Sequence, residues 1–411
     1  MINNKRLKSE MEKISSFGAL PQGGITRLAF SNEEKDARDY VKSLIKDIGM
    51  SIREDAFGNI YAKLEGEENL PSVATGSHVD SVPLGGCHDG TLGVMCSLEA
   101  IRVIKEQNIK HKRPLELIIF SCEESSRFNM ATAGSKVVSG KLDTEKAKSL
   151  KDKSGKSMYD AAKEFGCNVE DLKSAILSHG HFYSYVELHI EQGPVLEAKN
   201  IPVGIVTGIA APIRYELIIT GRADHSGATP MNMRADALVG ASEIIVGVEE
   251  IASRKAGKTT VATVGFANAV PGVLNVIPGE VKLGIDIRDI DNENLLKADK
   301  LINELIENVT KKRGLTFSLK QLTKDTPVKL DSEIVNLIEK EAKGLGIETL
   351  KLPSGAGHDA MHMPNIAKYV GMIFTPCKDG ISHNTAEEVN FEDVFKATEV
   401  LTKTLITLSN Q

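Results

Sequence analysis

Glu123 and Glu124 stand side by side directly after the apolar run Leu115-Glu116-Leu117-Ile118-Ile119-Phe120. That run has the make-up of a buried strand, so the pair falls where the strand gives way to a loop. Adjacent carboxylates at the end of a core strand are costly unless a cation or a proton-transfer role uses them. Upstream, another strand ends in His78-Val79-Asp80, followed by Gly85-Gly86-Cys87-His88-Asp89-Gly90. Downstream lie Glu187-Leu188-His189-Ile190-Glu191-Gln192-Gly193 and Ser382-His383-Asn384. These are the imidazoles and carboxylates of a dinuclear metal site. Asp89, set between glycine-containing turns, can turn one oxygen to each of two ions, which such sites hold about 3.5–4 Å apart. The set then divides into His78, Asp89 and His189 for one ion, and Asp89, Glu124 and His383 for the other. Asp80 is placed to fix the ring of His78 without touching an ion. Glu123 is left over, free to take a proton from water. Such N/O ligands suit two divalent ions, zinc foremost, with Mn, Co or Ni as alternatives.

A single histidine near a glycine turn is usually solvated or satisfied in the core. The set of five ligands, each just beyond a strand, is what outweighs that reading. His88 is read as lining the site, because a neutral imidazole cannot bridge two ions. His111, His179, His181 and His362 are read as structural. Cys87 and Cys122 are read as packing beside the site, with thiolate ligation as the alternative.

The elements that must position these groups show in the hydrophobic pattern. Ser31-Asn32-Glu33-Glu34 is a capping box that opens a helix, and Gly49 closes it. Strands follow at 60–64 and 73–75, a helix at 90–107 and the strand at 115–120, an alternation that predicts an α/β domain with a largely buried sheet. Open sheets of this kind bind ligands beyond the ends of their strands. Residues 141–181 read as a polar, Lys-rich helical excursion without visible chemistry. Between 213 and 325 the order changes to β-α-β-β-α-β, the split βαβ pattern of a ferredoxin-like domain. Because His383 must return to a site begun at His78, that domain is inserted: 1–212 with 326–411 form the catalytic domain, and 213–325 the insert.

The 411 residues exceed one ordinary core, and 41% hydrophobic with 26% charged residues describe a globular chain. A formal charge of −6 makes no case for nucleic acid or an anionic membrane as partner. Residues 1–30 hold no signal-like apolar core, and no stretch reaches the roughly 18 apolar residues of a spanning helix. Five scattered cysteines without CxxC spacing suit a reducing compartment, so a cytoplasmic enzyme is expected.

The strings GSHVDSVPLGGCHDGTLGV, SCEESSRF, ELHIEQGPVLE, GRADHSGATPMNMRADAL, NVIPGEVKLGIDIRD, SGAGHDA and GISHN resemble the hydantoinase/carbamoylase family of amidases. The motifs run in family order from about residue 70 to 390. The resemblance implies a metallopeptidase-like catalytic domain with an inserted ferredoxin-like α+β lid and dimerisation domain. It also implies a dinuclear metal amidohydrolase that cleaves the carbamoyl (ureido) C–N bond of an N-carbamoyl-L-amino acid or related ureido acid. The alternatives are an allantoate amidohydrolase, or an aminoacylase or dipeptidase of the same superfamily. It assigns the five ligands above and Glu123 as catalytic base. It further implies that Arg288 grips the substrate carboxylate, that Gln192, Asn275 and the backbone of Gly355–Gly357 contact the substrate, and that His225 stabilises the oxyanion. Closure of the two domains and a homodimer formed through the inserted domain are expected on the same ground.

Overall fold

The computed structural model describes residues 2–411. Two compact units emerge: Met1–Thr207 with Leu330–Leu352 and Gly357–Gln411, and Gly208–Lys329 with Pro353–Ala356.

The first unit opens with helix α1 (Asn4–Ser15) and helix α2 (Asn32–Ile48). Ser31 caps α2 by accepting the Glu34 N–H at 3.2 Å, and Gly49 ends it in the left-handed region. The Glu34 side chain reaches back past the cap to the Phe30 N–H (2.5 Å), one residue earlier than the usual capping box. Then come β1 (Ser51–Glu54), β2 (Ile60–Leu64), β3 (Ser72–His78), α3 (Thr91–Glu106), β4 (Leu115–Phe120) and the short α4 (Ala133–Val138). The Lys-rich segment forms α5 (Thr144–Ser149), α6 (Met158–Phe165) and a turn of 3-10 helix at Val169–Ala175. Ala147, Met158, Ala161, Val169 and Leu172 bury themselves with Phe30, Phe57, Cys122 and Phe128 in one apolar cluster. The excursion therefore backs the loop that follows β4. β5 (Phe182–Ile190), α7 (Val195–Lys199) and β6 (Val203–Ile209) lead out of this unit.

The second unit comprises β7 (Ala211–Thr220), β8 (Asp224–His225), α8 (Ala237–Glu250), β9 (Val261–Val270), β10 (Val276–Ile277), β11 (Glu280–Asp289), α9 (Asn292–Arg313), β12 (Thr316–Lys324) and β13 (Val328–Lys329). Its four long strands pair antiparallel in the order β12-β7-β11-β9. That is the ferredoxin-like arrangement, first and third strands central. β7 and β11 alternate buried and half-exposed residues, as expected when helices cover one face only. The chain then returns through α10 (Ser332–Gly344), β14 (Thr349–Ser354), β15 (Ala367–Thr375) and α11 (Phe391–Ser409).

In the first unit the sheet order is β1-β2-β4-β3-β5-β15-β6. β4, β3, β5 and β15 are mutually parallel, so their carboxyl ends open on one edge. β3 and β4 are buried throughout, which explains their unbroken apolar character. Helix α3 packs on β3, β4 and β5, and α11 packs on α3, β5 and β15. The sheet is thereby held rigid at the edge where the reactive side chains emerge.

Candidate metal centre

Every one of the four parallel strands delivers chemistry at its carboxyl end. β3 ends in His78, β4 leads through Ser121-Cys122 to Glu123 and Glu124, β5 carries His189, and the segment after β15 brings Ser382 and His383. Asp89 precedes α3, and Gly90 between them approaches His78 so closely that a Cβ there would lie 2.3 Å from the ring Nε2. Cys122, Gln192 and His383 all adopt positive φ, near 56°, 56° and 55°. For residues with a Cβ this costs about 1–3 kcal/mol each and persists where a site over-determines the backbone.

Asp89 is the hub. Its Oδ1 lies 3.2 Å from His189 Nε2 and 3.6 Å from His78 Nε2, while its Oδ2 lies 3.0 Å from His383 Nε2. His383 Nε2 also lies 3.2 Å from Glu124 Oε1. That approach lacks hydrogen-bond alignment, leaving a buried carboxylate oxygen without a hydrogen-bond donor. Two donor groups share Asp89, His78–Asp89–His189 and Asp89–Glu124–His383, and a third, Glu187–His189–His358, adjoins the first through His189; in each the ligand atoms lie within 4.8 Å of one another. The chemistry of both sets, imidazole nitrogen and carboxylate oxygen sharing Asp89, fits a pair of divalent ions.

The electrostatics show how much positive charge this pocket calls for. Burial opposes charge on His78, yet contacts to Asp80 and Asp89 and the charge of Glu123 raise it well above the ordinary imidazole value. His383, with its Nε2 close to the carboxylates of Asp89 and Glu124, is pushed up to about 11. Asp89 resists burial and is held well below the carboxylate range by His189, His383 and His78. Burial, reinforced by neighbouring Glu124, lifts Glu123 well above that range, although the charge of His78 opposes the rise.

Glu123 lies in none of these donor groups; its Oε2 is 3.8 Å from His78 Nε2. Asp80 acts chiefly on the glutamate pair. Its two oxygens accept the N–H groups of Glu123 (3.1 Å) and Glu124 (3.0 Å). His78 Nδ1 is instead 3.0 Å from the Asp80 carbonyl oxygen, with the Asp80 carboxylate farther off at 3.5 Å. Asp80 therefore orients His78 mainly through its backbone. The start of α4 braces the same loop, as Thr132, Ala133 and Gly134 donate to the carbonyls of Glu123, Cys122 and Ser121.

Gln192 joins the cluster, its Nε2 donating to Asp89 Oδ2 at 2.7 Å. Gly357 belongs to the first unit, beside Met361. His225, Asn275 and Arg288 belong to the second. His225 and Asn275 are neighbours there: His225 pairs with Val276 across β8 and β10, and Ser226 N–H donates to the Asn275 carbonyl. His225 Nδ1 accepts from Gly227 and Ala228 N–H groups, which leaves the ring proton on Nε2 as an outward donor. Arg288 is held side-on by Asp286 through Nε and Nη2 (3.1 and 3.0 Å), and Nη1 donates to the Gly355 carbonyl (2.9 Å).

One expectation fails. His88 does not line the cluster: its ring meets Phe391 edge-on at 6.2 Å, and burial pushes its pKa down to about 4. Successive side chains diverge, so with Asp89 turned to the histidines its neighbour faces the other way. Burial pushes the thiols of Cys87 and Cys122 up, against thiolate character in either.

Other residues at the site escape a reading by ligand type. Glu387 accepts from the N–H groups of His88 (2.9 Å) and Asp89 (3.1 Å) and from the Ser382 hydroxyl (3.0 Å). Glu187 accepts from the Ser77 hydroxyl and the Ala360 N–H, and His358 packs edge-on against His189 with ring centroids 4.5 Å apart. Asp359 beside it is fully buried and accepts from Ser135 at 2.5 Å. The signals were present: Gly357-His358-Asp359 repeats the Gly-turn, His-Asp pattern, and Glu387-Glu388 is a second glutamate pair, four residues beyond His383.

The profile of the peptidase family M20/M25/M40 matches residues 74–407. The chain is 39% identical to the N-carbamoyl-L-amino acid amidohydrolase of Geobacillus stearothermophilus over 98% of each chain. It is 37% identical to the ureidoglycolate hydrolase of Oryza sativa subsp. japonica, over all of this chain and 86% of that one. Its fold superposes on the hydantoinase/carbamoylase-family amidase of Burkholderia multivorans with a TM-score of 0.92 at 34% identity, covering 100% and 98% of the two chains. With imidazoles and carboxylates gathered at the ends of a parallel sheet, a ferredoxin-like second unit and likeness along its whole length, the chain belongs to the peptidase family M20/M25/M40, in its hydantoinase/carbamoylase amidase branch.

Proposed function

We propose that the protein is a metal-dependent amidohydrolase that cleaves the ureido C–N bond of an N-carbamoyl-L-amino acid or a related ureido acid. One observation carries the reading: a buried carboxylate, Glu123, stands beside two donor groups that share Asp89 yet belongs to neither. His78, Asp89 and His189 would hold one divalent ion and Asp89, Glu124 and His383 the other. Bound there, the ions supply Lewis acidity and lower the pKa of water. Zinc suits the set best, with Mn, Co or Ni as alternatives.

Glu123 takes the proton of the attacking water, and its raised proton affinity suits a group that must later give that proton back. The hydroxyl oxygen bonds to the carbamoyl carbon, and the C–N bond then breaks as Glu123 protonates the departing nitrogen. His225, with its proton on Nε2, is the donor for the developing oxyanion. Arg288 takes the substrate carboxylate: Asp286 and Gly355 fix its plane and leave the outer N–H pair of Nη1 and Nη2 for a bidentate grip. Asn275, Gln192 and the Gly357 backbone complete the contacts.

The working form is a homodimer built through the second unit. β9 is an edge strand there with Val261, Phe266 and Val270 exposed, and α8 exposes Leu238, Val239 and Val246. Five cysteines, all free, support a reducing, cytoplasmic location. Among the described residues no helix is long and apolar enough to cross a membrane.

The test is ammonia release from N-carbamoyl-L-amino acids, allantoate and ureidoglycolate by metal-reconstituted protein, with dipeptides and N-acetyl amino acids as controls. Turnover of a ureido acid is expected. Turnover confined to the dipeptides or N-acetyl compounds would move the protein to the aminoacylase and dipeptidase reading.

A further inference from the structure

Glu387 sits where two ligand loops meet, 298 residues from Asp89 in sequence. It is buried, and Oε1 takes the N–H groups of both His88 and Asp89, so it holds the backbone of the shared ligand. Gly86 in the same loop leaves the room, since a Cβ there would lie 2.0 Å from the Glu387 carboxyl. Oε2 faces the Ser382 hydroxyl at 3.0 Å, immediately before His383. That hydroxyl lies at the same distance, 3.0 Å, from Asp89 Oδ2. A serine has one proton for these two acceptors. Whichever carboxylate receives it gains a hydrogen bond; when Glu387 does, Asp89 Oδ2 keeps a lone pair beyond the one that Gln192 Nε2 already occupies at 2.7 Å.

We infer that Glu387 is a positioning residue that sets the metal affinity of the centre by drawing the Ser382 proton away from Asp89. The inference rests on the metal-site reading above and extends it. Glu387 fixes the Asp89 backbone with one oxygen. With the other it orients Ser382 so that Asp89 Oδ2 faces an ion rather than a hydroxyl proton.

Glu387→Gln separates the two duties. The amide oxygen still accepts the His88 and Asp89 N–H groups, so the loop stays in place. The amide nitrogen donates to Ser382 Oγ and turns the hydroxyl proton onto Asp89 Oδ2, where it competes with the ion. Removing the hydroxyl removes the competitor, so Ser382→Ala in the Glu387→Gln background restores binding. A role in packing alone predicts no such rescue.

The experiment measures Zn²⁺ and Mn²⁺ affinity by chelator competition for the full-length wild type, Glu387→Gln, Ser382→Ala and the double variant, with thermal unfolding of the metal-free proteins as the control for folding. Expected are about a tenfold loss of affinity in Glu387→Gln, the scale known for groups that orient metal ligands, recovery to within about threefold of wild type in the double variant, and little change in Ser382→Ala. Should Glu387→Gln fail to fold, Glu387→Asp serves instead. Its shorter side chain withdraws from Ser382 Oγ and frees the hydroxyl proton for Asp89, so a loss that Ser382→Ala rescues is expected, and a loss without rescue overturns the inference. Wild-type affinity in Glu387→Gln, or a double variant as weak as the single, overturns the inference while leaving the metal centre standing. A wild type that retains neither ion overturns both.

Discussion

Asp89 meets three imidazoles with two oxygens, and these contacts keep it charged against the cost of burial. Glu123 and Glu124, adjacent in sequence and both buried, have different surroundings: Glu124 faces His383, whereas the Glu123 carboxylate stands nearest His78 and outside both donor groups. Their backbones are pinned together by the single carboxylate of Asp80, so their side chains must diverge. This separation makes a specific expectation for Glu123→Gln, which keeps shape but cannot accept a proton. The variant should retain both metal equivalents by elemental analysis while kcat falls by at least about 10³-fold, within the range lost when a general base is removed. Loss of metal with activity would mark Glu123 as a ligand.

At the scale of elements, the reactive groups are fixed by what lies behind them. The side chain of Arg27 is fully buried and pairs with no carboxylate among the described residues. Its Nε donates to the Val79 carbonyl in the loop between His78 and Asp80, Nη1 to the carbonyls of Ile14 and Phe17, and Nη2 to Thr91 in the first turn of α3. Desolvation drags its pKa down to about 10, so the charge is retained near neutrality. One guanidinium thus ties the end of α1, the β3 loop and the start of α3 together. Arg27→Met would take a donor from four acceptors, among them the buried Val79 carbonyl and Thr91 hydroxyl, and should cost about 3 kcal/mol, read as a lower midpoint in urea unfolding. An unchanged midpoint would show that those carbonyls find other partners.

For the molecule as a whole, the ferredoxin-like unit is a four-stranded sheet with helices on one face and an open edge at β9. An isolated edge with exposed apolar residues is a place for a second strand to add. Val246, exposed on α8, is the point at which to test the proposed dimer. Val246→Glu should shift the sedimentation mass from dimer towards monomer without loss of secondary structure. A dimer of unchanged stability would place the subunit contact elsewhere. Because the change lies outside the first unit, metal content should stay at the wild-type level.

The order of elements was readable from the chain because hydrophobic periodicity and capping are local. The Ser31 cap, the Gly49 stop, the 115–120 strand and the β-α-β-β-α-β rhythm each depend on a few neighbouring residues. So were the residue types capable of metal and proton chemistry, since strand ends and glycine turns announce themselves in sequence. Orientation was not. Whether His88 or Asp89 faces the cluster depends on how the loop is held by Glu387, a residue 298 positions from Asp89. Likewise Asp80 was expected to steady the ring of His78; its carbonyl oxygen meets that ring, while its carboxylate caps two backbone N–H groups across the neighbouring strand end. Arg288 shows the same limit, for its partner Asp286 is local but the Gly355 carbonyl that completes its hold comes from a distant segment. By itself the sequence determined which groups were available and on which elements; the tertiary structure alone decided which way they point, because hydrogen bonds between remote loops, not local propensity, select the rotamer and the backbone turn.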